Sequence, residues 1–131
     1  MSVFVDTSAL YALLDEADAN HADASDTLRR LAGAELVTHA FVFVETCALV
    51  GRRLPWGASE RLIDGLLPVI DVRAADVELY DAALGAYRLA ASAKVSFVDH
   101  ASFALMRSLG IRRAFAYDDD FAREGFELVG A

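Results

Sequence analysis

Four carboxylates stand where a folded chain does not ordinarily place them. Asp6 ends the apolar run V-F-V-D, and Glu45 lies within A-F-V-F-V-E-T-C-A-L-V. Asp99 sits in S-F-V-D-H, and Asp118 opens the triplet Asp118-Asp119-Asp120. A carboxylate buried alone is costly and takes up a proton or a partner. Four brought together would repel too strongly to ionise unaided. Mg²⁺ or Mn²⁺ resolves that conflict, because hard ions take oxygen ligands and two dications balance four carboxylates. Such ions generate a nucleophile from water and stabilise the leaving oxygen of a phosphodiester. They also invert the local sign of charge, admitting a polyanion to a chain whose net charge is -8, from 20 acids and 12 bases.

Each acid also has an ordinary reading. Asp6 fits an N-cap of the helix after it. Ser96-Phe97-Val98-Asp99 has the capping-box pattern, in which Asp99 returns a bond to Ser96. Glu45 can face solvent or pair with Arg52 or Arg53, and the aspartate triplet can be a solvated turn. These readings weaken jointly once the elements that carry the acids are laid out.

Strand patterns fall at Val3 to Asp6, Glu35 to Thr38, Pro68 to Val72, Arg113 to Tyr117 and Phe126 to Val129. Helical spacing runs through Thr7 to Glu16, Asn20 to Leu31, Ala40 to Arg53, Ala58 to Leu66, Ala75 to Ala91 and Ser96 to Leu109. Gly33 and Gly110 close two of these helices, Leu54-Pro55-Trp56-Gly57 breaks the one from Ala40 to Arg53, and Asp118 to Asp120 reads as a loop. Strands alternating with helices imply an α/β fold, a mostly parallel central sheet flanked by helices. Sites in such sheets lie at the carboxyl ends of the strands. Asp6 and Asp118 fall at two such ends, and Glu45 and Asp99 lie one to two turns into helices that start nearby.

The 131 residues suit one domain, residues 1–131, and 56% hydrophobic content with positive mean hydropathy supports a packed core. No apolar run reaches the ~18 residues of a membrane span. No basic region followed by an apolar stretch marks a signal peptide. Cys47 is the only cysteine, so no internal disulfide forms, and its neighbours suggest a small buried hydrophobe. A reducing, cytoplasmic setting is expected. Eleven of the 12 bases are arginine, and the pairs Arg52-Arg53 and Arg112-Arg113 suit phosphate contacts or plain solvation. The chain has no serine-hydrolase elbow, no P-loop and no dinucleotide fingerprint. His21, His39 and His100 are isolated, so a zinc site is not indicated.

At these residues the chain resembles the PIN domains and, more narrowly, the VapC-type ribonuclease toxins of bacterial toxin–antitoxin pairs. The resemblance is carried by V-F-V-D-T-S-A-L, H-A-F-V-F-V-E-T-C-A-L, S-F-V-D-H-A-S-F-A-L-M-R-S-L-G-I and A-F-A-Y-D-D-D-F, from Val3 to Phe121. It implies a three-layer PIN-like fold with four to five strands. It puts Asp6, Glu45 and Asp99 at three acidic positions and the fourth on Asp118, three residues before Phe121. Asp120 is implied to assist through water, and Thr7 and Ser8 match a small polar pair that holds the first aspartate. The implied activity is RNA hydrolysis dependent on one or two Mg²⁺ or Mn²⁺ ions, leaving 5′-phosphate and 3′-hydroxyl ends. The implied assembly is a homodimer restrained by a VapB-type antitoxin, with no membrane attachment. The triplet departs from the usual pattern, in which a base often separates the acids, so the choice among Asp118, Asp119 and Asp120 stays open.

Two other classes compete. An aspartyl-nucleophile phosphohydrolase also places an aspartate at a strand end, but needs a second acid where Ser8 stands. A non-catalytic module binding RNA or protein would keep the fold without needing all four acids.

Overall fold

The computed structural model describes residues 1–130. Its centre is a five-stranded sheet in the order β3-β2-β1-β4-β5, parallel throughout. The strands are β1 (Ser2–Val5), β2 (Glu35–His39), β3 (Asp71–Arg73), β4 (Arg113–Phe115) and β5 (Glu127–Leu128). Seven helices connect and flank them: α1 (Thr7–Leu14), α2 (His21–Arg30), α3 (Ala40–Arg53), α4 (Trp56–Arg61), α5 (Val77–Ala90), α6 (Phe97–Leu109) and α7 (Asp119–Arg123). Side chains on a strand alternate between faces. Val3, Phe4 and Val5 are nevertheless all buried, so both faces of β1 are covered. This explains why the central strand reads as an unbroken apolar run.

Strand β1 lies between β2 and β4, with Phe4 beside Val37 on one side and Ala114 on the other. The chain leaves β1 for one half of the sheet and returns on its other side. The reversal opens a crevice at the carboxyl ends of β1 and β4, where Asp6 and Asp118 follow their strands. Two clusters stabilise this frame. The main core surrounds Phe4, Phe103, Phe115 and Phe121, and a smaller one joins Leu14, Val50, Ala58 and Leu62 beneath α3 and α4.

Several boundaries differ from expectation. Asp118 to Asp120 is not a loop: Asp118 caps α7, which begins at Asp119. Leu54-Pro55 ends α3 at Arg53 as expected, but the next helix starts at Trp56 rather than Ala58, because proline's fixed φ suits a helix entrance. That helix then widens into a π-type turn over Leu62–Leu66. Pro68 lies in a 3₁₀ turn, Leu67–Val69, and the strand starts only at Asp71. Proline has no N–H to offer a ladder and its fixed φ suits a helical turn, which favours the later start. Ala58 and Leu62 are buried, whereas Trp56 and Ile63 are exposed.

Phe121 is fully buried, with its ring against Phe103 at 5.0 Å between centroids and Phe4 at 6.1 Å. It anchors α7 and thereby the placement of Asp118. Phe121→Ala should lower unfolding stability by about 3–5 kcal/mol, read from the urea midpoint at constant slope.

Candidate active site

The site is built from short polar contacts around the end of β1. The Asp6 N–H donates to the Phe115 carbonyl at 3.0 Å, and Thr38 Oγ1 donates to the Val5 carbonyl at 2.8 Å. The backbone ahead of the carboxylate is therefore tied to both neighbouring strands. Asp6 then caps α1: its Oδ2 accepts from the Ser8 N–H at 3.1 Å and from Ser8 Oγ at 2.6 Å. Ser8 Oγ in turn accepts from the Tyr117 N–H at 2.9 Å, joining the loop after β4 to the start of α1. Tyr117 Oη donates to Asp23 at 2.5 Å, fixing the same loop to α2. Burial and that carboxylate push the Tyr117 phenol up. Asp6 Oδ1 is buried and has no hydrogen-bond partner.

Thr7 and Ser8 have separate tasks. Ser8 holds Asp6, whereas Thr7 Oγ1 donates to Glu45 Oε1 at 2.5 Å. Glu45 is half-buried on α3 and pairs with neither Arg52 nor Arg53. Asp99 is 9% exposed in the first turn of α6. Only half of the capping box forms: the Asp99 N–H donates to Ser96 Oγ at 3.0 Å, and the Asp99 carboxylate is turned to the cleft instead of back to Ser96. Asp118 Oδ1 accepts from the Asp120 N–H at 2.9 Å. Asp120 accepts from Arg123 at 2.6 Å, and Asp119 is exposed.

The four acids line one open cleft of about 470 Å³, with Thr7, Ser8, Ser96 and Arg52 also on its wall. Asp99, Asp118 and Asp120 each bring one oxygen within 4.8 Å of the others. Asp120 thus joins the cluster directly, beyond the water-mediated part that the resemblance implies for it. Asp119 lies outside the cluster.

The charges are felt strongly. Burial raises Asp99 from an ordinary 3.8 to about 8, reinforced by Asp6, Asp118, Glu45 and Asp120. Asp6 rises to about 6: burial outweighs the bonds from Ser8, and Glu45 and Asp118 add to the rise. The donor set is made only of hard oxygens, and one of them, Asp6 Oδ1, is buried without a partner. That chemistry fits Mg²⁺ or Mn²⁺ and does not fit a softer metal.

A PIN domain profile matches residues 3–127. The chain belongs to the PIN domain family. It is 34% identical over 131 residues to the 23S rRNA-specific endonuclease VapC20 of Mycobacterium tuberculosis, covering 97% of each chain. The crystal structure of that protein, described as a Sarcin-Ricin loop cleaving toxin, superposes with a TM-score of 0.84 over 98% of this chain and 99% of its own. FitAcB from Neisseria gonorrhoeae shares the fold at a TM-score of 0.70 and 15% identity, covering 98% of this chain and 96% of its own. VapBC2 from Rickettsia felis, bound to a DNA fragment from their promoter, gives 0.71 at 11% identity, with 98% and 97% covered.

His39 has a place that sequence reasoning missed. It is fully buried, and its Nδ1 accepts from the Val42 N–H at the start of α3. Its Nε2 therefore carries the proton and donates to Ser102 Oγ at 2.9 Å, which donates to the Val98 carbonyl. This neutral imidazole, lowered to about 4 by burial, ties the helix of Glu45 to the helix of Asp99. The signal was a polar residue directly before an apolar helix, masked because histidine is not a favoured cap. Cys47 is half-exposed rather than buried, and it packs beside Val50 and Leu62, where burial raises its thiol pKa. His100 packs against Tyr87 and Phe103 and does not line the cleft.

These shifts predict a pH dependence. Between pH 3.8 and about 8 the folded state holds a proton on Asp99 that the unfolded chain has released, so stability falls as pH rises. Asp6 acts the same way up to about pH 6. His39 acts oppositely, losing stability as pH falls from 6.5 towards 4. Above pH 6.5 His39 is silent. The chelated protein should therefore lose on the order of 5 °C in Tm between pH 6.5 and 8, and Asp99→Asn should flatten that decline in differential scanning calorimetry.

Proposed function

We propose that this chain is a divalent-cation-dependent endoribonuclease and the toxin component of a toxin–antitoxin pair. The observation that carries the reading is the convergence of Asp6, Glu45, Asp99 and Asp118 on one cleft at the sheet's switch point. The relation to VapC20 supports RNA as the substrate, with a structured ribosomal target as the first one to test.

In this reading Asp99, Asp118 and Asp120 hold a Mg²⁺ or Mn²⁺ ion, with Asp6 Oδ1 completing the acidic wall. When bound, the cation supplies Lewis acidity, polarising water and neutralising charge on the phosphate. Glu45, held at one oxygen by Thr7, orients the attacking water with the other and receives its proton. The water oxygen bonds to phosphorus, the P–O3′ bond breaks, and the proton passes to O3′. The products carry 5′-phosphate and 3′-hydroxyl ends. Ser8 and His39 position their acids without touching the substrate.

The whole chain, 1–131, acts as one nuclease domain in the cytoplasm. No helix among the described residues is long and apolar enough to cross a membrane. The exposed Trp56 and Ile63 support a homodimer, and the relation to VapC-type proteins supports a VapB-type antitoxin as the restraining partner. The phosphohydrolase reading loses ground, because Ser8 stands where a general acid is needed and is committed to Asp6.

Purified protein should cleave a structured RNA pool containing 23S rRNA with Mg²⁺ or Mn²⁺ and not with chelator. Asp99→Asn should lower kcat/KM at least about 100-fold. Equal cleavage by both proteins would expose a contaminant and remove the support for this function. A wild-type protein that binds RNA and never cuts it would favour the binding module.

A further inference from the structure

Helix α3 presents more than Glu45 to the cleft. Glu45, Ala48, Leu49 and Arg52 all line it, which is the i, i+3, i+4, i+7 face of one helix. Two turns separate the carboxylate from the guanidinium, about 10 Å along the axis. A small and an apolar side chain lie between them and leave the cleft floor open.

Arg52 is also uncommitted. Arg29, Arg73, Arg107, Arg113 and Arg123 each lie within 3.5 Å of an acid. Arg53, one residue on, lies over the Tyr11 ring at 5.7 Å, and Arg61 donates to the Leu14 carbonyl at 3.1 Å. Arg52 is exposed and makes no ion pair, side-chain hydrogen bond or ring contact among the described residues. In a chain where acids outnumber bases, an arginine beside four acids that engages none of them keeps its donor fork for another anion. Glu45 does not claim it, because two helical turns separate the pair.

Resting on the ribonuclease reading, we propose that Arg52 grips a phosphate flanking the scissile one, so that the RNA strand crosses the cleft along α3 from Glu45 towards the end of that helix. The guanidinium fork matches a phosphate in bidentate fashion. The 10 Å offset places it on a neighbouring phosphate, leaving the reacting one to the acids. Arg52 is then a binding and register-setting residue, one positive charge in a cleft whose other charged side chains are acids.

The test is steady-state cleavage of one RNA substrate over a range of salt, with wild type, Arg52→Gln, Arg52→Lys and Arg53→Gln. Arg52→Gln should raise KM about tenfold with kcat within about twofold. It should reduce the slope of log(kcat/KM) against log[salt] by about 0.7–0.9. Arg52→Lys should retain the slope, since the charge remains, with an intermediate KM because the fork is lost. Arg53→Gln should leave both near wild type. An active enzyme whose KM and salt slope ignore Arg52→Gln would overturn the inference while leaving the ribonuclease reading intact. So would an equal effect from Arg53→Gln, which would mean a diffuse field and no contact. A wild-type protein inactive on every RNA would remove the ribonuclease reading, and this inference with it.

Discussion

The Asp6 carboxylate, 3% exposed and with one oxygen unpartnered, has to stand within the field of Glu45 and Asp118. Most of the local structure follows from that constraint. Ser8 supplies two hydrogen bonds to one oxygen and leaves the other free. Phe115 and Thr38 fix the backbone from both sides. The fold thus holds a carboxylate in an unfavourable place without neutralising it. Without a cation the stress passes to Asp99, the acid most disfavoured as an anion, which retains its proton to about pH 8. A site that must give up that proton to bind a dication couples metal affinity to pH.

The parallel sheet makes this arrangement possible. Its order reverses at β1, so two strand ends and the helix entrances beside them face one crevice. The main chain alone would not hold the acids to a common point. Small polar groups do that: Thr7 holds Glu45, Ser8 links Asp6 to the loop after β4, and the buried His39–Ser102 bond joins α3 to α6. The His39–Ser102 bond is buried, where a hydrogen bond is stronger than in water, and the other two are half-buried at the cleft wall.

Much of this was legible before any coordinates. The alternation of strand and helix patterns announces the parallel sheet, and α3 begins and ends at Ala40 and Arg53 as its length suggests. Asp6 and Glu45 were visible as carboxylates in apolar runs, a signal that survives because burying charge is costly, and Asp118 by its place after a strand. The remainder was hidden for identifiable reasons. Asp118 caps a short helix that an acidic triplet disguises as a turn. Asp120 joins the cluster through the geometry of that helix, which spacing alone does not reveal. The split between Thr7 and Ser8 depends on where α3 lies relative to α1, and His39 acts on Ser102, 63 residues away. Such long-range contacts have no local signature.

The central claim is that the acids form one cation site whose metal-free state is protonated. Calorimetric titration of Mn²⁺ at pH 7, in two buffers of different ionisation enthalpy, tests it directly by counting protons. With Asp99 near 8, the account predicts saturable binding that releases roughly one proton per site. Binding without proton release, or no binding heat in either buffer, would contradict it.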